Sequence, residues 1–146
     1  MTDPLAQIDR ALVLLVRKAT DPRGNRRINE LAGADIERAG AAMLVRVSES
    51  EPARLSELAR AAGVDISTAS RQVAALVDAG FVRRRDDPTD RRAHLHELTD
   101  DGRALRERLG DARRRWIADM VAGLSDEERR VLGALLERVT EPMAGI

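Results

Sequence analysis

The sequence predicts a mainly α-helical fold that carries one small β-hairpin. Three observations lead there. Apolar residues recur every three or four positions through most of the 146-residue chain. Aspartate-proline, serine and glycine punctuate those runs where helices start and stop. Residues 81–98 break the pattern, alternating on either side of a charged, proline-bearing turn.

The first helix is expected to start at Asp3-Pro4, an aspartate that caps and a proline suited to the first helical position. Leu5, Ile8, Leu12, Leu15 and Ala19 form one seam, and the helix should stop before Pro22. Residues 21–33, rich in Arg, Asn and Gly, read as a loop. Residues 35–48 read as a second helix, capped by Asp35, with Ile36, Ala39, Met43 and Val47 on one face; "SESEP" ends it at Pro52.

Residues 54–81 contain two short helices. Leu55, Leu58, Ala59 and Ala62 mark the first, and Gly63 breaks it. Asp65 caps the second, which runs to Ala79 and ends at Gly80. Two short helices joined by a glycine-containing turn make a helix-turn-helix. Phe81–Arg85 and Ala93–Leu98 then read as strands around a turn at 86–92. Two strands alone are marginal, so the hairpin must lean on the helices. Thr99 caps a long helix to about Ala122, with Asp100 and Asp101 at its positive end and Leu105, Leu109, Ala112, Trp116 and Met120 on one face. Ser125 with Glu128 is a capping box for a last helix, whose apolar side is Val131, Leu132, Leu135, Leu136 and Val139.

Composition narrows the function. No run of about 18 apolar residues is present, and the first ten residues lack a signal peptide's charge order, so a cytoplasmic protein with no membrane partner is expected. Zero cysteines exclude disulfides, thiolate catalysis and thiol sensing. Glycine-rich phosphate loops are absent, and no serine has a histidine–acid pair close in sequence, so no enzyme is expected. With Phe81 and Trp116 as the only aromatics, base stacking on a single strand is disfavoured. Formal net charge is zero, so any hold on nucleic acid must come from a local patch. Lys18 is the only lysine; the other cations are arginines, whose planar fork suits phosphates and guanine edges.

At about 100° per residue, Ile66, Ala69, Val73, Leu76 and Val77 project to one side of the helix that follows Asp65. Ser67, Thr68, Arg71, Ala75 and Gln72 lie opposite, with Ser70 at the margin. Arg71 can bridge guanine O6 and N7, Gln72 can bridge adenine N6 and N7, and first-turn N–H groups suit a phosphate. An ordinary solvated face carries the same residue types, so the helix alone leaves both readings open. The hairpin adds Arg83, Arg84, Arg85, Arg91 and Arg92 against Asp86, Asp87 and Asp90. An arginine at such a tip can enter the narrow minor groove, with Asp90 expected to hold one arginine while another points outward.

The stretch "LSELARAAGVDISTASRQVAALVDAGFVRR" followed by "DDPTDRRAHLHELTDDGRAL" resembles regulators of the multiple-antibiotic-resistance (MarR) type, bacterial winged-helix dimers. The likeness rests on the helix-turn-helix together with a wing signature of Asp90, Arg92, Leu98-Thr99 and Gly102. It implies a mainly α fold with a small β-hairpin wing: a winged helix-turn-helix lobe over 35–98 and a helical dimerisation lobe over 1–20 and 99–146, within one domain spanning 1–146. It also implies a homodimer on double-stranded DNA, most simply a repressor of nearby genes on a pseudo-palindromic site. Ser67, Thr68, Ser70 and Arg71 would lie in the recognition helix, and Arg91 and Arg92 in the wing. With Gln72, Arg84 and Asp90 from the residue reading, these make up the expected DNA-binding set.

Many members of this family bind small aromatic acids between their lobes, so a small-molecule effector is a further expectation. No cofactor is expected. His94 and His96 share a strand face but fall short of the three ligands zinc usually takes, so they read as solvated and no metal is expected. A winged helix that binds protein rather than DNA is the alternative, slightly favoured by the zero net charge.

Overall fold

The computed structural model describes residues 3–141. The element order over these residues is α1 (Pro4–Thr20), α2 (Pro22–Ala32), α3 (Arg38–Ser50), β1 (Ala53–Arg54), α4 (Leu55–Ala62), α5 (Ile66–Asp78), β2 (Val82–Asp87), β3 (Asp90–Leu98), α6 (Asp100–Met120) and α7 (Asp126–Thr140). A mainly helical chain with a small antiparallel sheet is what the sequence predicts. The expected lobes begin at residue 1 and end at residue 146, so their outermost residues lie outside the described ones.

Helix α1 starts as expected: the Asp3 carboxylate accepts the Leu5 N–H at 3.0 Å, and Pro4 takes the first position. The expected loop at 21–33 is instead helix α2. Asp21 accepts the Arg23 N–H at 2.8 Å ahead of Pro22, repeating the arrangement at Asp3-Pro4. Gly33, at φ 59°, closes the helix: its N–H bonds the Glu30 carbonyl, and the Ala34 N–H bonds that of Asn29. The second expected helix starts later, at Arg38, and Asp35 does not cap it. The side-chain amides of Asn25 and Asn29 donate to the Ile36 carbonyl at 3.3 and 2.8 Å, keeping that peptide out of the helical ladder.

The sheet order is β1-β3-β2, all antiparallel. Strand β1 was not legible beforehand, because two residues carry no alternation; Ala53 pairs with His96, and Arg54 with Leu95. The expected turn at 86–92 shrinks to Pro88-Thr89. The Asp87 carboxylate accepts both the N–H and the hydroxyl of Thr89, at 2.9 and 2.7 Å, and so closes the turn itself.

The first compact unit, residues 1–112, holds one core. Met43, Leu44 and Val47 of α3, Leu58 and Ala59 of α4, and Ala69, Val73 and Leu76 of α5 meet Ala53, Val82 and Leu98 of the sheet and Leu105 of α6. Thr99 caps α6 by accepting the Gly102 N–H at 3.0 Å, while its own hydroxyl donates to the Gly80 carbonyl at 2.6 Å. Glu51 accepts the Leu98 N–H and an Arg103 N–H, both at 2.7 Å, bracing the end of β3 against α6.

The second unit, residues 113–146, contains the rest of α6 and α7. Ser125 and Glu128 form the expected capping box. Val131, Leu132, Leu135, Leu136 and Val139 form an exposed row on α7.

Gly102 admits the first turn of α6 against the chain after α5. A Cβ there would lie 2.0 Å from the Phe81 carbonyl oxygen, a backbone atom that cannot rotate away. Gly102→Ala is expected to destabilise by about 1–3 kcal/mol, the range for overpacking. That exceeds the roughly 1 kcal/mol alanine gains over glycine inside a helix. Chemical denaturation measures it, and an unchanged midpoint would show that the two segments separate freely.

Candidate nucleic-acid interface

Helix α5 buries Ala69, Val73 and Leu76 and leaves Ser67, Ser70 and Arg71 exposed, with Thr68 and Gln72 half-buried. The projected face is right from Ala69 onward and wrong at Ile66, which is 58% exposed. Ile66 is the first helical residue, and the core begins only with Ala69, one turn further on. Ser70, projected to the margin, lies at the surface.

The N-terminus of α5 is already occupied by a carboxylate. Asp65 accepts the Ser67 hydroxyl at 2.5 Å, the Thr68 N–H at 2.7 Å and the Thr68 hydroxyl at 2.9 Å. These bonds, that from Ser67 foremost, pull its pKa down to about 2. Of the first-turn N–H groups, that of Thr68 is taken by Asp65, whose negative charge opposes a phosphate at this end of the helix. Ser67 and Thr68 spend their hydroxyl protons on Asp65 and turn lone pairs outward as acceptors. Arg71 makes one long bond, to Thr68 Oγ1 at 3.4 Å, which leaves most of its fork available.

Arg83 and Arg85 share the strand face that carries Glu97. Arg83 Nε lies 2.8 Å from Glu97 Oε1 and Arg85 Nε 3.9 Å from it, so one carboxylate offsets two cations. Glu97 is held below its ordinary pKa, chiefly by the bond from Arg83. Arg84, Arg91 and Arg92 are exposed and form no ion pair among the described residues. Asp90 was expected to grip an arginine side chain. It instead accepts the backbone N–H of Arg92 at 3.0 Å, a local turn bond within reach of a short side chain.

The acid that does grip an arginine is Asp87, which sequence reasoning missed in that role. Only 6% exposed, it takes Arg54 Nε at 2.8 Å and also bonds Arg54 Nη2. Its pKa is lowered to about 2, first by the two Thr89 bonds and then by Arg54. No signal in the sequence joins these partners, 33 positions apart.

A groove of about 530 Å³ runs between α5 and the hairpin; Ser70 and Asp78 line it on one side and Arg84, Arg92, His94 and His96 on the other. His96 is buried, against the expectation of a solvated pair, because it shares the inward face of β3 with Leu98. Its Nδ1 lies 3.3 Å from the Ala53 carbonyl oxygen, within reach to donate. His94 Nδ1 lies 3.4 Å from Asp86 Oδ1. Among the described residues no three His, Cys, Asp or Glu side chains group as metal ligands, and no helix is long and apolar enough to cross a membrane.

A model of the MarR family matches residues 36–94. Over 139 residues the chain is 32% identical to the uncharacterized HTH-type transcriptional regulator YxaD of Bacillus subtilis, covering 95% of this chain and 94% of that protein. Its structure is similar to that of RV1404 from Mycobacterium tuberculosis, 29% identical with a TM-score of 0.77 across 99% of this chain and 97% of the other. Streptococcus pneumoniae FabT, solved in complex with DNA, has the same fold at 18% identity and a TM-score of 0.75, across 97% of this chain and 98% of the other.

Burial, with Arg84 and His94 adding to it, lowers the His96 pKa below its ordinary value against the opposing bond to Ala53. The unfolded chain takes up that proton near pH 6.5 while the folded chain resists it, so this contribution is complete above pH 6.5 and declines as pH falls below it. The melting temperature is expected to drop between pH 7 and pH 5, and His96→Gln to flatten that drop. Parallel pH profiles for the two proteins would contradict the assignment.

Proposed function

The chain belongs to the MarR family of DNA-binding transcriptional regulators, and from that premise we propose that it represses nearby genes as a homodimer on a pseudo-palindromic duplex site. One observation carries the reading. On a chain of zero net charge, the ribbon beside the exposed face of α5 carries three exposed arginines, Arg84, Arg91 and Arg92, that no carboxylate among the described residues pairs. Phosphates respond to charge within about 10 Å, so this local surplus counts where the chain average does not.

In this reading Arg71 and Gln72 reach base edges in the major groove, with Ser67, Thr68 and Ser70 beside them as hydroxyl contacts. Arg91 and Arg92 lie along the minor groove and its phosphates, and Arg84 faces the backbone from the groove between ribbon and helix. Asp90 serves through the turn it holds. We assign residues 35–98 to the DNA-binding lobe and 1–20 with 99–146 to the dimerisation lobe.

Two surfaces support the dimer. Helix α1 has no buried residue and exposes Leu5, Ile8, Leu12, Val13, Leu14, Leu15 and Val16; in the second unit α7 exposes its own apolar row. Exposed aliphatic faces of this extent mark an interaction surface. Half-sites on the duplex would then lie about 10 bp apart or a multiple of that. A small-molecule effector would release the dimer by binding more tightly to a form with a different separation of its recognition helices.

The test is selection of a duplex from a random pool, followed by binding at several salt concentrations. Arg71→Ala is expected to cost about 1–3 kcal/mol and to relax preference at one base position. Arg92→Ala is expected to weaken binding to every sequence and to lower the salt slope by about 0.9. Affinity for the selected site equal to that for random duplex would overturn the reading and favour a protein-binding module. In sedimentation the chain is expected to be a dimer at micromolar concentration and Leu12→Asp a monomer; a monomeric wild type would contradict the dimer.

A further inference from the structure

Arg54 bonds the hairpin tip at Asp87 and Thr89. Arg54 ends β1, pairs with Leu95 of β3, and is the N-cap of α4. The Glu57 carboxylate accepts its backbone N–H at 2.7 Å, which fixes the Arg54 main chain. Its guanidinium bonds Asp87 through two nitrogens and lies 3.4 Å from Thr89 Oγ1. Asp87 in turn holds the Pro88-Thr89 turn closed. The register of β2 against β3 shifts between Asp86 and Asp87, so the ladder itself does not carry its geometry unbroken to the tip. Arg91 and Arg92 follow that turn after Asp90.

Both Arg54 nitrogens converge on Asp87 Oδ2 while Oδ1 takes the two Thr89 bonds, so both carboxylate oxygens are held and the carboxylate is fixed in direction. The partner here is buried, while Arg54 keeps 42% of its side chain exposed and lines the groove. Its hold on Asp87 opposes use of the same guanidinium on a phosphate.

We propose that the Arg54–Asp87 pair is a clamp that sets the angle at which the ribbon offers Arg91 and Arg92 to the duplex, making Arg54 and Asp87 positioning residues for DNA recognition. The proposal rests on the DNA-binding reading above. It predicts a sign that simple electrostatics does not. Removing a negative charge from a DNA-facing surface should strengthen binding; removing Asp87 should weaken it, because the arginines beyond it lose their aim.

The experiment compares Asp87→Asn, Arg54→Gln, the double variant and Asp86→Asn in the full-length chain. Asparagine at 87 can still accept the Thr89 N–H, so the variant isolates the ion pair. Asp86, with its side chain 91% exposed, supplies the same charge change one residue away. Affinity for the selected duplex is expected to fall about tenfold in each clamp variant, the size of loss when arginine contacts of this kind go astray. The double variant should be no worse than either single one, and Asp86→Asn should bind as tightly as wild type or tighter. Arg54→Lys should recover only part of the loss, since an ammonium cannot reproduce the fork.

Hydrogen exchange without DNA provides the second readout. Amides of residues 87–92 should exchange faster in the clamp variants, and those of α3 and α5 at the wild-type rate. Unchanged exchange at 87–92 would overturn the clamp whatever the DNA result. Faster exchange with undiminished binding by Asp87→Asn would overturn the positioning role, as would losses that add in the double variant. A wild-type chain that selects no duplex would remove the DNA-binding reading and the positioning role with it, while the exchange arm would still decide the clamp.

Discussion

Strand β3 is paired on both sides, to β1 and to β2, and its inward residues sit on the same core as helix α5. That shared core is the constraint on which the rest depends, because it packs the helix and the ribbon that follows it into one body. Val73 and Leu76 from the helix meet Val82 and Leu98 from the strands, all at most 3% exposed. Each such side chain is worth about 1.5–3 kcal/mol of burial, so sliding the ribbon along the helix would forfeit several of these terms together. The close approach at Gly102 and the Glu51 brace hold the far end of β3, leaving the tip as the one part of the ribbon that needs its own fastening.

Charge is distributed around this body by pairing rather than by surplus. Glu97 offsets Arg83 and Arg85, Glu51 takes Arg103, and Asp87 takes Arg54. These bonds fix geometry within the first unit. Among the described residues Arg84, Arg91 and Arg92 of the ribbon and Arg71 of α5 pair with no carboxylate. A protein without net charge thereby keeps a local positive face, and it has little general attraction to remote polyanions once salt screens beyond about 10 Å. Such an arrangement favours discrimination among duplexes over indiscriminate adhesion, since most of the available free energy must come from contacts at close range.

Much of this was legible in the residues. Helix α5 carries a cap at Asp65, a buried row and a glycine stop; the box at Ser125 and Glu128 announces α7; and alternation marks β3. The failures have physical causes. Helix α2 was hidden because Arg, Asn and Gly outweighed an Asp-Pro start identical to that of α1. Strand β1 is too short to show a period, and its existence depends on β3 being there to pair with. Ile66 follows the periodicity of its helix, but the core does not extend beneath it. His96 looks like a surface residue by type and is buried by register. Asp87 and Asp90 are the same residue three positions apart; which of them holds an arginine is decided by Arg54, more than 30 positions earlier, a pairing no local pattern contains.

Footprinting of the chain on a duplex it selects, with dimethyl sulfate at guanine N7 for the major groove and hydroxyl radicals at the sugars for the minor groove, tests most directly whether helix and ribbon act as one body, duplicated by two-fold symmetry. The account predicts paired protections symmetric about a dyad. Each half would show a shielded major-groove segment flanked by a minor-groove segment, with the halves about 10 bp apart or a multiple of it. Protection on one side of the site alone, or in the major groove with no flanking minor-groove segment, would contradict it.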